Sequence, residues 1–595
     1  MRQSSVKIIP LVALLWLGCG QVEGDAHEPR SAALEGSARV SKPGDYQGYG
    51  ERVYDGYALS SQYVEVRDGV RLAIDLYRPK ERDGRVTEAP LPVVWMHTPY
   101  NRRTFSSPAG TGNAGDTYPG TAAKLVDYGY VVAIADFRGL YASFGTNRGY
   151  NRGEWVEAAR FDAYDITEWL AKQPFSNGKV GMWGCSATGG SQMQAATTRP
   201  PSLKAIFPMS CEFDAYPFGV PGGMSASAGD TKTPPGGPTA AQRDQLAVPV
   251  DADTSRAELR AAVASHASNV ENPGYVPFRD SVATQIPEPW WIKSSPHTYL
   301  DALRNAGIGI YAAANWDEAA TKYGAFFTVN NLPNTKLVVG PGAHCAWSAV
   351  RTQTGFDIVV EERRFFDHWL KGIDNQVMSE DKVHYYTYNA DPAASWKSAA
   401  KWPLPSEVRT DFYLGAAALG TTPPSEPDAA DAVAIDYGAP AKSTLTYETA
   451  PLASDLTVTG HPTVALWTSS TATDGDYVAT LYDVAPDGTA TTYHMHGRLR
   501  ASLRKEAPAP YDNLSLPYHP SGTGDVQPLV PGTPTQLHFD LLPISIVFRA
   551  GHRVRLVLSF AEATTPRLSP APTVTIHRDA AHASKLVLPV IPPGK

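Results

Sequence analysis

A serine bracketed by glycines, Gly184-Cys-Ser186-Ala-Thr-Gly189, is the stretch whose residue types and spacing point most directly to chemistry. The apolar run Val180-Gly-Met-Trp lies ahead of it, and a helix-like stretch follows. A strand that turns abruptly into a helix forces its corner residue into a strained backbone, and only glycine-sized neighbours tolerate the close approach. Ser186 is therefore read as a nucleophile standing clear of a sheet. The second glycine arrives one residue later than in the G-x-S-x-G elbow. A serine hydroxyl is a weak nucleophile at neutral pH, so it needs a base, a carboxylate orienting that base, and donors for the oxyanion.

Those partners are sought at other strand ends, in the order serine, acid, histidine. Asn315-Trp316-Asp317 follows the apolar run 308–314, and Gly340-Pro-Gly-Ala-His344 follows the run 336–339. His344 is the expected base and Asp317 the expected acid, with Glu318 its nearest rival. The backbone N–H of Ala187 supplies one oxyanion donor. The second is expected from the loop His97-Thr-Pro-Tyr100-Asn, after the run 91–97.

Positioning these groups calls for a particular scaffold. Continuous apolar runs at 91–97, 130–136, 180–184, 205–209, 308–314 and 336–340 alternate with helical spacing such as that of 155–173. This is the pattern of a parallel sheet covered on both faces, which carries its site at the C-terminal strand ends. A hairpin turning at Asp68-Gly69 precedes it over 62–79. The α/β domain is expected over 51–400, interrupted at about 212–296 by a Gly/Pro-rich and then Ala-rich insertion that reads as a cap. Within the cap, Trp290-Trp291 either line an acyl pocket or pack the cap on the core, and packing is the favoured reading. From 401 to 595 short alternating strands and Pro/Gly/Asp turns indicate an all-β sandwich or jelly roll.

At 595 residues the chain needs more than one core. Its net charge of -8, without a Lys/Arg cluster, gives no footprint for nucleic acid. No phosphate-cradling loop and no metal-ligand spacing rises above background, Tyr493-His-Met-His496 included, so neither cofactor nor metal is expected. Residues 1–26 read as an export signal, with Arg2 and Lys7 ahead of the apolar run 8–17. Leu17-Gly-Cys19 is similar to a lipoprotein cleavage site that would leave Cys19 as a lipidated N-terminus; cleavage after Ala26 is the alternative. Residues 27–50 read as a flexible tether. Of the remaining cysteines, a Cys185–Cys211 bridge is conceivable, and buried free thiols are the favoured reading.

The chain resembles the serine hydrolases that include cocaine esterase, α-amino acid ester hydrolases and X-prolyl dipeptidyl peptidases. The resemblance rests on Thr98-Pro-Tyr100-Asn, Asp136-Phe-Arg-Gly139 with Ser143 and Gly145, Gly184-Cys-Ser186 with Gly189, and Trp316-Asp317. It extends to Gly340-Pro341 with His344, Arg364-Phe-Phe-Asp-His-Trp-Leu-Lys-Gly372 and Ala550-Gly-His-Arg-Val-Arg-Leu556. It implies an α/β-hydrolase core, a helical cap and a C-terminal jelly roll. It further implies Ser186 as nucleophile, Asp317 as acid, His344 as base and the Tyr100 hydroxyl as oxyanion donor. The chain has Ala187 where relatives often carry Tyr. The carboxylate cluster that binds a substrate ammonium in amino acid ester hydrolases is incomplete here: Glu318 is followed by Ala319-Ala320, leaving Glu212 and Asp214 as contributors. Trp316 completes the candidate pocket residues. The expected function is cleavage of a small ester or amide through an acyl-enzyme. An X-Pro dipeptidyl peptidase and a non-catalytic carbohydrate-binding surface protein are the alternatives.

Overall fold

Apolar runs without alternation become strands buried on both faces, and β4 (Val131–Asp136) has all six residues buried. The computed structural model describes residues 39–105, 114–115, 124–224, 240–270, 276–282, 286, 288–319, 321–562 and 565–594. The other strands of the central sheet are β1 (Tyr57–Glu65), β2 (Arg71–Pro79), β3 (Leu91–Thr98), β5 (Ser176–Cys185), β6 (Leu203–Met209), β7 (Gly309–Asp317), β8 (Thr335–Ala343), β9 (Val383–Tyr386) and β10 (Trp396–Ala399). Their order is β10-β9-β8-β7-β6-β5-β3-β4-β2-β1. Strands β3 to β9 are parallel, with β1, β2 and β10 antiparallel at the edges. The order reverses between β3 and β5, so the end of β5 lies at the switch point where such sheets carry their sites.

Alternate residues of each strand serve opposite faces. Val93, Trp95, Val131 and Ala133 join a cluster with α1 (Asp162–Ala171), α2 (Ala187–Thr197) and α3 (Thr321–Asn331). Val94, Met96, Val132 and Ile134 pack instead with Phe365, Phe366 and Leu370 of α4 (Ile358–Lys371). Between β6 and β7 the chain leaves the sheet as short helices, Ala215–Gly219, Ala257–Ser265, Trp290–Lys293 and Leu300–Arg304 among them.

Beyond Val408 the chain builds antiparallel sheets of nine and five strands. Arg553–Ser559 alternates between buried and more open positions, as a strand on the face of a sandwich does. The first core cluster continues into this domain: Trp316 stacks on Phe326 at 5.7 Å between centroids, and Phe326 meets Trp402 at 4.7 Å. Tyr323 of α3 donates its hydroxyl to Asp540, and Tyr388 donates to the Pro341 carbonyl at 2.7 Å.

The export-signal region and Cys19 lie outside the described residues, as does the tether up to residue 38. The rest of the expected tether is structured. Val40–Lys42 pairs with Asp45–Gln47 as a hairpin on α4, where Glu361 accepts from the Gly44 N–H at 2.9 Å and Arg364 donates to Ser41 Oγ at 2.8 Å. Its small polar residues looked unstructured because their partners lie more than 300 positions away. Among the described residues no helix is long and apolar enough to cross a membrane.

Candidate active site

Ser186 has φ 64° and ψ -125°, a conformation rarely adopted by a residue with a side chain. It is the last residue before α2, and its own N–H donates to the Met209 carbonyl of β6 at 2.9 Å. The flanking glycines are sterically required. A Cβ at position 184 would come within 2.4 Å of Thr188 Oγ1, and one at 189 within 2.4 Å of the Met209 carbonyl. The displaced second glycine of the sequence pattern is thus the point where α2 presses against β6.

The Tyr100 hydroxyl lies 3.2 Å from Ser186 Oγ and accepts from the Ala187 N–H at 3.2 Å. Tyr100 follows the end of β3 and is fixed by its N–H donating to Thr98 Oγ1 at 2.9 Å. Nucleophile and both expected oxyanion donors therefore converge on one point. A carbonyl oxygen bound there meets the Ala187 N–H and the Tyr100 O–H together, the arrangement that stabilises charge developing on it.

The carboxylate beside His344 is Glu318 and not Asp317. Glu318 Oε2 lies 2.7 Å from His344 Nδ1. It also accepts from Thr321 Oγ1 at 2.9 Å, while Oε1 accepts from the Asn315 N–H at 2.7 Å and Ser210 Oγ at 3.1 Å. Its side chain is fully buried. With Nδ1 on this carboxylate, the imidazole presents Nε2 for proton transfer. Asp317 faces the C-terminal domain, its Oδ1 3.1 Å from His494 Nε2. The physical reason lies in the sheet: β7 runs on through Asp317, and its pairing with β8 slips from Asn315↔Gly340 to Asp317↔Ala343. Adjacent residues at a strand end point to opposite sides, and the slip decides which of them meets the histidine. Lys322 braces this turn from below, donating to the Trp316 carbonyl at 2.7 Å; burial pulls its pKa down to about 7.

The cysteines also differ from expectation. Cys185 is bonded to Cys345, and Cys211 is the buried free thiol, held in its neutral form by burial. The bond joins the residue before Ser186 to the residue after His344. That adjacency is visible in the sequence and was the signal available for it.

The remaining pocket residues do not gather at Ser186 as free groups. Glu212 is held bidentately by Arg152, at 2.6 and 2.8 Å. Asp214 lies 2.6 Å from Arg279; burial would raise its pKa, but Arg279 and His297 outweigh this and hold it well below the usual carboxylate range. Trp290 packs with Trp155, Val156, Val276 and Ile286, while Trp291 donates its indole N–H to the Val276 carbonyl at 2.8 Å, so the pair serves cap packing. Trp316 is completely buried and donates to the Tyr386 carbonyl. Among the described residues no group of three or more His, Cys, Asp or Glu is arranged as metal ligands.

The chain is similar to known proteins over most of its length. Residues 68–346 match the family model described as X-Pro dipeptidyl-peptidase (S15 family), and residues 375–587 match the X-Pro dipeptidyl-peptidase C-terminal non-catalytic domain. A Mycobacterium bovis protein named putative serine esterase is 33% identical over 91% of this chain and 96% of its own length. The cocaine esterase of a Rhodococcus species is 28% identical over 90% of this chain and 99% of its own. In fold, a CocE/NonD family hydrolase from Staphylococcus aureus superimposes with a TM-score of 0.68 at 19% identity, covering 91% of this chain and 96% of that one.

Proposed function

We propose that this chain, which belongs to the X-Pro dipeptidyl-peptidase (S15) family and is a serine hydrolase of ester or amide bonds, works through an acyl-enzyme on Ser186 and prefers small carboxylic esters without an α-ammonium group. The observation that carries this reading is the meeting of Ser186 Oγ, the Tyr100 hydroxyl and the Ala187 N–H within 3.2 Å contacts. His344 Nε2 takes the Oγ proton as Oγ attacks the carbonyl carbon. Glu318 holds Nδ1–H and stabilises the imidazolium. Tyr100 and Ala187 donate to the oxyanion. The proton then passes from Nε2 to the leaving oxygen or nitrogen, and water repeats the sequence on the acyl-enzyme. The preference against charged amines follows from Glu212 and Asp214, both already committed to arginines.

Export directed by the N-terminal signal, cut before Cys19 so that Cys19 becomes the lipid anchor, belongs to the same proposal. A disulfide suits an oxidising compartment and supports it. Ser186→Ala should lower kcat on p-nitrophenyl acetate by about 10⁴-fold or more. Near-wild-type turnover by that variant would overturn the assignment. A Gly-Pro p-nitroanilide assayed beside the ester decides the peptidase alternative: cleavage of the anilide with the higher kcat/KM would favour it.

A further inference from the structure

The Cys185–Cys345 bond crosses a distance that the sheet alone does not close. Cys185 ends β5 and Cys345 follows β8, and in the sheet these strands are separated by β6 and β7. At about 4.8 Å per strand their axes lie roughly 14 Å apart. Yet the two Cα atoms are 5.9 Å apart. The chain after β8 must therefore fold back over the ends of β7 and β6 to reach the nucleophile's strand. Its hydrogen bonds run to β7 and the turn just after it: Asn315 Nδ2 donates to the Ala343 carbonyl at 3.0 Å, and Glu318 holds His344. The disulfide carries it on to β5. One end of the crosslink is a strained corner, with φ 59° at Cys345, and the other end adjoins one, with φ 64° at Ser186, backbone that persists only where its surroundings fix it.

We propose that the Cys185–Cys345 disulfide is a positioning device for catalysis, holding the His344 loop over the Ser186 corner so that base and nucleophile stay in register. The proposal rests on Ser186 and His344 acting as assigned above. Cys185 and Cys345 are partly exposed, so a reductant reaches the bond. Cys211 is buried, which keeps it out of exchange. Opening the bond with a trialkylphosphine consumes one water: phosphorus gives two electrons to the S–S bond and takes the water oxygen as its oxide, and the two protons of that water convert the cysteine sulfurs to thiols. The loop then keeps its contacts to β7, Glu318, Thr321 and Tyr388 but loses its tie to β5. A histidine displaced by an ångström slows acylation without altering how the acyl group is bound.

The test uses the full chain, oxidised, reduced with tris(2-carboxyethyl)phosphine, and as the Cys185→Ala/Cys345→Ala variant. Intact mass establishes the redox state, and circular dichroism establishes folding at the assay temperature. The rate constant for labelling of Ser186 by a fluorophosphonate and the kcat and KM for p-nitrophenyl acetate are then compared. Reduction and the double substitution should each lower kcat and the labelling rate about tenfold or more, with KM within about twofold, and reoxidation of the reduced wild type should restore both. Equal labelling rates in folded oxidised and reduced protein would overturn the positioning role while leaving the nucleophile assignment intact. Absence of labelling at Ser186 in the oxidised protein would instead overturn the assignment. If the double variant does not fold, the reduced wild type assayed below its Tm decides the question by the same rates.

Discussion

Two carboxylate–histidine pairs stand side by side at the end of β7, formed by consecutive residues. Glu318 and His344 are 2.7 Å apart, and the carboxylate is buried with three further donors on its oxygens. Asp317 and His494 are 3.1 Å apart, across the seam to the C-terminal domain, with side chains 44% and 28% exposed. Distance alone would hardly separate them. What differs is the number of fixed dipoles around each carboxylate and the access of water. A buried, fully satisfied carboxylate holds an imidazole in one orientation, whereas a solvated pair is screened and worth little.

Substitution should separate the two pairs widely. Glu318→Gln keeps the shape but not the charge that stabilises the imidazolium, and kcat on p-nitrophenyl acetate should fall by about 10³-fold or more. Comparable turnover by this variant and wild type would dissolve the distinction. Thr321→Val removes one donor from the same carboxylate and should lower kcat about tenfold in steady-state assays. Asp317→Asn and His494→Gln, measured in parallel, should each stay within about fivefold of wild type. A larger loss would mean that the seam pair shares in proton transfer.

A third carboxylate extends the contrast to one with neither base nor fixed donor. Among the described residues neither oxygen of Glu154 has a side-chain hydrogen-bond partner, and burial raises its pKa to about 8 although Arg152 nearby pulls it down. Above its unfolded pKa and below about 8, the native state holds a proton that the unfolded chain has released. Stability is therefore fully present at acid pH and lost as pH rises through that window. In thermal melts Glu154→Gln should gain on wild type by about 2–4 °C between pH 5 and pH 8; parallel pH dependences of the two proteins would contradict this.

The scaffold was legible in the sequence because its cause is local. Uninterrupted apolar runs mean strands covered on both faces, and the glycines around Ser186 report clashes with specific atoms, Thr188 Oγ1 and the Met209 carbonyl. Ser186, His344 and Ala187 were expected from the ends of those runs, since a strand end determines where the next residues emerge, whereas Tyr100 was singled out within its loop by the family resemblance. The choice between Asp317 and Glu318 was not reachable in that way. It depends on a slip in register between β7 and β8, a property of two strands together. The hairpin at 40–47 was missed for a related reason, its stabilising charges lying on a helix far along the chain. The roles of Glu212 and Asp214 were hidden by their partners: Arg152 and Arg279 are distant in sequence, and a carboxylate's availability cannot be read without them.

The aromatic seam of Trp316, Phe326 and Trp402 makes the C-terminal β-domain something other than a detachable appendage. Trp316 sits two residues from Glu318 at the same strand end, and Trp402 forms part of its wall together with Phe326 and the Tyr386 carbonyl. Cutting the chain at the domain boundary would leave that wall as bare hydrocarbon in water and slacken the ground on which the acid stands. The two domains thus share one packed seam, and a lesion in the β-domain that loosens it should lower hydrolase activity without touching any group proposed to meet the substrate.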